Sequence, residues 1–103
     1  MKILTAEKDS CLLVRITGEI DHHTAPEIRQ EIDGELERLR PEKLILDLGQ
    51  TDFMDSSGLG LILGRMRKTE EMQVNFTLLN PSPSILKILR FAGVEKKLEI
   101  EYL

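Results

Sequence analysis

The 103-residue chain has no tryptophan, one cysteine and only four aromatic residues, three Phe and one Tyr. With Cys11 alone, neither an intrachain disulfide nor a multi-thiolate metal site is possible, and a reducing compartment suits the chain. Cys11 lies in the apolar run Cys11-Leu12-Leu13-Val14 and is expected in the core. Positive charge is also scarce. Fourteen Lys and Arg against 18 Asp and Glu leave a net charge of −4, so there is no basic field to hold a phosphate backbone or anionic lipid. Nucleic acid and membrane are therefore not expected as direct partners, and a protein surface is. No apolar run approaches the roughly 20 residues of a membrane span, and Met1 to Thr5 leads into charged residues, unlike a secretory segment. A cytoplasmic protein is expected. Four prolines and seven glycines beside a 41% apolar share suit one folded domain, residues 1–103.

Two strands are expected first, Lys2 to Lys8 and Ser10 to Thr17, forming a hairpin around Lys8-Asp9-Ser10. The second is apolar on both faces, as a covered central strand should be, and Gly18 should end it. Thr24-Ala25-Pro26-Glu27 reads as a capping box, with Thr24 as N-cap and Glu27 reaching back. Ile28, Ile32, Leu36 and Leu39 then make one helical stripe to about Arg40, where Pro41 stops the helix. Leu44 to Leu48 is a third strand. Leu59, Ile62, Leu63 and Met66 repeat at helical spacing to about Lys68, Gln73 to Asn80 forms a fourth strand, and Ser82-Pro83 opens a third helix that ends at Gly93. Leu98, Ile100 and Tyr102 alternate with Glu99 and Glu101 as a half-exposed edge strand.

The order β-β-α-β-α-β-α-β implies an α/β fold with an N-terminal hairpin on a mixed, mainly parallel sheet. The loops leaving the carboxyl ends of parallel strands share one edge, where open α/β sheets place their sites. That should bring Gly18 to Thr24, Thr51 to Gly58 and Asn80 to Ser84 together. Gly60 and Gly64 lie on one helical face at a cost of about 1 kcal/mol each. Close approach to another element, the protein's own sheet included, is the expected reason.

Chemistry concentrates at Asp55-Ser56-Ser57-Gly58-Leu59-Gly60, where a strand gives way to a helix beginning at Ser56 or Ser57. Small polar residues there satisfy the orphan N–H groups of the first turn, and the partial positive charge of that turn tolerates a phosphate. Either serine could be a modifiable switch. Equally, two capping residues open many helices without carrying any function.

This stretch, with Phe53-Met54 before it and Leu61-Ile62-Leu63-Gly64-Arg65 after it, resembles the phosphorylation-site motif of STAS domains, specifically the anti-sigma factor antagonists. Gly18-Glu19-Ile20-Asp21-His22-His23-Thr24 resembles the family's second signature, in its sporulation form. The likeness runs from about Cys11 to Gly93. It implies a STAS fold and a module that docks on an anti-sigma factor serine kinase and displaces its sigma factor. It further implies that phosphorylation by that kinase inactivates the module and that a PP2C-type phosphatase reverses the modification. The modified hydroxyl carries over to Ser56, with Ser57 as runner-up. Asp21, His22, His23, Thr24, Asp55, Ser57, Gly58, Leu59, Gly60 and Ile88 carry over as partner-binding candidates. Leu59 and Ile88 read equally well as core residues, and the histidines as locally bonded loop residues. No cofactor and no metal is expected.

A STAS module of another pathway, such as general stress control or a transporter's regulatory domain, is the alternative within the family. The His22-His23 pair favours sporulation. A hydrolase with Ser56 or Ser57 as nucleophile and His22 or His23 as base would show glycine two places either side of the serine. Ser56 follows Met54-Asp55 and Ser57 follows Asp55-Ser56, which speaks against it. Adjacent histidines in a loop also lack the spacing of known metal sites.

Overall fold

A computed structural model describes all residues, 1–103. Its elements are β1 (Lys2–Lys8), β2 (Cys11–Ile20), α1 (Ala25–Leu39), β3 (Lys43–Asp47), β4 (Thr51–Met54), α2 (Ser56–Met72), β5 (Asn75–Leu79), α3 (Pro83–Phe91), a 3₁₀ turn (Glu95–Lys97) and β6 (Glu99–Glu101). The sheet runs β1-β2-β3-β5-β6, with β4 also paired to β2. β1 is antiparallel to β2 and every other pairing is parallel. The expected α/β architecture with an N-terminal hairpin is therefore present. The hairpin turns on Asp9 and Ser10, both left-handed at φ 53° and 63°, as a two-residue type I′ connection requires.

β2 is covered on one face only. Leu12, Val14 and Ile16 are fully buried, whereas Cys11, Leu13 and Arg15 between them are half-exposed; the side chains of a strand alternate between its faces. Neither the doubly covered strand nor the core position of Cys11 holds, because all-apolar composition cannot say how many faces are covered. The buried face packs on Ile28, Ile32 and Leu36 of α1, Ile62 of α2, and Ile85 and Leu89 of α3 in one cluster. Fully burying such a side chain contributes about 1.5–3 kcal/mol.

Gly18 does not end β2. The strand continues to Ile20 through a register shift between Gly18 and Glu19, with Gly18 at φ +103°. An irregularity of this kind bends a strand and increases its twist. Beyond it β2 pairs with β4, an additional strand that takes up Thr51 to Met54 of the expected loop. Gly18 N–H donates to the Gln50 carbonyl at 3.0 Å, and the buried Thr51 hydroxyl donates to the Ile16 carbonyl at 2.8 Å. β3 and β4 thus run in succession beside β2.

α2 is a turn longer than expected, ending at Met72 with Gln73 left-handed at φ 60°. Thr69 in its last stretch is buried, and its hydroxyl donates back to the carbonyls of Arg65 at 2.8 Å and Met66 at 2.9 Å in the same helix. α1 and α2 lie side by side, joined by Lys68 to Glu37 at 2.8 Å.

Candidate functional site

The site forms where β2 and β4 end together. Asp55 N–H donates to the Ile20 carbonyl at 3.2 Å, so the two motifs meet through the backbone, as expected of Gly18 to Thr24 and Thr51 to Gly58. The third expected segment, Asn80 to Ser84, opens α3, which packs against β4. Asn80 itself is tied elsewhere: its side-chain oxygen accepts from Leu103 N–H at 2.9 Å.

The start of α2 is capped by Asp55, not by either serine. Its carboxylate accepts from Ser57 N–H at 2.8 Å, and its carbonyl accepts from Gly58 N–H at 3.0 Å and Leu59 N–H at 3.4 Å. Ser56 is therefore the first helical residue, and its side chain is exposed, whereas Ser57 is half-buried. The capping duty and the outward hydroxyl fall on different residues.

The start of α1 is built differently. Thr24 has helical dihedrals and makes no side-chain cap, so the expected capping box is absent. The Thr24 hydroxyl instead donates to the Glu19 carbonyl at 3.0 Å and accepts from Asp21 N–H at 2.9 Å. Asp21 does the capping-like work: its carboxylate accepts from His23 N–H at 2.9 Å and Thr24 N–H at 3.0 Å. Hydrogen bonding to the charged form favours it. The Thr24 N–H leads in holding the Asp21 carboxyl below its usual value, and burial opposes it. The exposed His22 and His23 rings lie against each other with centroids 3.9 Å apart.

Of the remaining candidates, Leu59 and Ile88 are half-buried against the core, so each presents one side inward and one outward. Gly58 is the glycine with a packing reason. A Cβ there would stand 2.0 Å from Met54 Cγ and 3.2 Å from Ile20 Cγ2. Gly60 and Gly64 have nothing within 4 Å of such an atom, which corrects the expectation of close approach: they border an open groove between α1 and α2. Phe53, quoted above only as part of the motif, is 51% exposed beside the loop. Arg65, which closes the quoted motif, and Arg29, which sequence pattern puts on the solvated face of α1, both line the groove. No group of three or more His, Cys, Asp or Glu is placed to hold a metal, and no helix is long and apolar enough to cross a membrane.

A six-stranded mixed sheet thus carries a serine at the first position of a capped helix, against a second strand-end loop. Residues 2–102 match the STAS domain, and the chain belongs to that family. Over 83 residues it is 41% identical to an anti-sigma F factor antagonist of Lysinibacillus sphaericus, covering 81% of this chain and 71% of that one. It matches the solved structure of the anti-sigma factor antagonist SpoIIAA in its unphosphorylated form with a TM-score of 0.83 at 33% identity, over 96% of this chain and 87% of that one. The phosphorylated form of the Bacillus cell fate determinant SpoIIAA matches with a TM-score of 0.77 at 33% identity, over 96% and 90%. Within the family the chain stands with the anti-sigma factor antagonists of the SpoIIAA type, which are regulatory proteins and not enzymes.

Proposed function

We propose that this protein docks on an anti-sigma factor serine kinase, releases the sigma factor held there, and is switched off when that kinase phosphorylates Ser56. The γ-phosphoryl group passes from ATP to Ser56 Oγ, ADP departs, and the hydroxyl proton is released. A PP2C-type phosphatase hydrolyses the ester and restores the active form. The observation that carries this reading is the exposed Ser56 hydroxyl at the first position of α2, directly after the Asp55 cap. The existence of a phosphorylated form of a similar protein supports it.

Docking involves the same edge. His22 and His23 offer exposed rings, Asp21 and Thr24 fix the loop that carries them, and Gly60 with the outward sides of Leu59 and Ile88 extends the surface. Asp55, Ser57 and Gly58 hold the acceptor serine in place. A phosphate on Ser56 adds about −1.5 to −2 charge at a helix start that tolerates it, so the fold is kept. Next to Asp55, that charge repels an acidic partner surface and loses hydration on docking. Release is then a local electrostatic event. Mass spectrometry after incubation with an anti-sigma factor kinase and ATP tests the assignment. One phosphate in the native chain and none in Ser56→Ala, with partner binding kept, is expected. Stoichiometric label mapped to Ser57 would move the site by one residue.

A further inference from the structure

The helices cover one face of the sheet and leave the other to solvent. On that open face one register row runs Ala6, Leu13, Ile45, Thr77 and Glu99 across five strands. Alternation along the strands puts Lys2, Leu4 and Lys8 of β1 and Glu101 of β6 on the same face. Leu13 and Ile45 are half-exposed and Leu4 is 54% exposed, so the middle of the face is apolar and open. Its two borders differ in sign. Lys2 and Lys8 are exposed along β1, and Glu99 and Glu101 are exposed along β6. Four strand spacings hold the two borders about 19 Å apart.

A surface that is basic along one border, acidic along the opposite one and apolar between them is complementary to itself. We infer that this face docks a second copy of the chain, with the twofold axis parallel to the strands and over β3. Rotation about that axis lays β1 of each copy over β6 of the other, in the aligned manner of packed sheets. Lys2 then comes within one register step of Glu101 of the second copy, and Lys8 within one step of Glu99. Leu13 lies over Thr77, and Ile45 meets its own mate. An axis across the strands would set β1 on β1, and opposed like charges are costly at an interface. Near the chosen axis Asp47 keeps Arg15 as its partner at 3.0 Å. Lys43 is the first residue of β3, where its stem can carry the ammonium out to water. The face measures about 24 Å across its strands and about 18 Å along them. That is about 450 Å² per copy and about 900 Å² for the pair, the size of weak, reversible complexes. Because the strands of both copies run the same way, the two Ser56 edges stand at the same end of the pair.

The test is sedimentation equilibrium of the full chain up to about 1 mM, where even a millimolar Kd shows. The mass should rise with concentration from 11.8 kDa towards twice that value, and less so at high salt. Charge reversal then reads the geometry. The double variants Glu99→Lys with Glu101→Lys and Lys2→Glu with Lys8→Glu should each self-associate at least about tenfold more weakly. An equimolar mixture of the two should regain association, because each copy supplies the sign that the other has lost. All four positions are exposed, so the fold is kept in both variants. A chain that stays at 11.8 kDa throughout, as it would if a different protein covers the face, would overturn the proposal. A dimer that neither double variant weakens would overturn it as well. Neither a kinase nor ATP enters this measurement, so its outcome is independent of the Ser56 assignment.

Discussion

The first turns of α1 and α2 begin with similar residues and do opposite things with them. At α1, Thr24 and Asp21 spend their polar atoms on each other and on the Glu19 carbonyl, closing the loop on itself. At α2, one carboxylate, that of Asp55, does the capping and Ser56 is left outward. A hydroxyl near a helix start is thus structural in one case and available in the other. What decides is whether a neighbouring side chain has already satisfied the backbone.

The largest stability effect expected along this contrast is at Gly58→Ala. The added methyl meets the body of Met54 and then Ile20, and overpacking of that kind costs about 1–3 kcal/mol. A denaturation midpoint within error of the native chain would show that the α2 start has more room than its geometry implies. Asp55→Ala should cost about 1 kcal/mol through the lost cap, while Ser56→Ala, measured by the same unfolding titration, should stay within about 0.5 kcal/mol as an exposed substitution. Equal losses in the two variants would erase the division of labour between the Asp55 cap and the outward Ser56 hydroxyl. Gly64→Ala should have the opposite sign and stabilise by about 0.4–1 kcal/mol, since open space removes the steric penalty and the unfolded chain loses freedom. A loss there would mean that the groove is tighter than it looks.

The smallest effect is at the α1 start. The Asp21 carboxyl is held below its ordinary value of 3.8, first by the Thr24 N–H. A depressed folded pKa stabilises the fold fully above the unfolded value, and that stabilisation is lost as pH falls through the folded one. Stability should therefore be indifferent to Asp21 from neutrality down to about pH 4 and decline only below. Carboxyl carbon shifts of Asp21 give the midpoint directly, and a value at or above 3.8 would sink the loop-closing role.

Periodicity made the three helices and five of the strands legible. Thr51 to Met54 was not, because Asp52 and Phe53 between two buried residues mimic neither alternation nor a covered run. The reading of Gly18 as a strand end failed for a related reason: left-handed backbone marks a bend as readily as a stop. The serine motif was legible as residues but not as geometry, since Asp55, Ser56 and Ser57 are all plausible caps by type. Arg65 and Asp33, 2.8 Å apart, were invisible as a pair, because their proximity depends on how α1 settles on α2.

The pairing of β4 with the far end of β2 has a consequence for the order of assembly. The β1–β2 hairpin can close locally, but Gly18 must find Thr51 across the whole of α1 and β3, and such distant pairings are slow to form. A chain with only its hairpin in place has the Ser56 segment without the strand end that lies beside it. Competence for recognition should arrive late and all at once, together with the parallel half of the sheet.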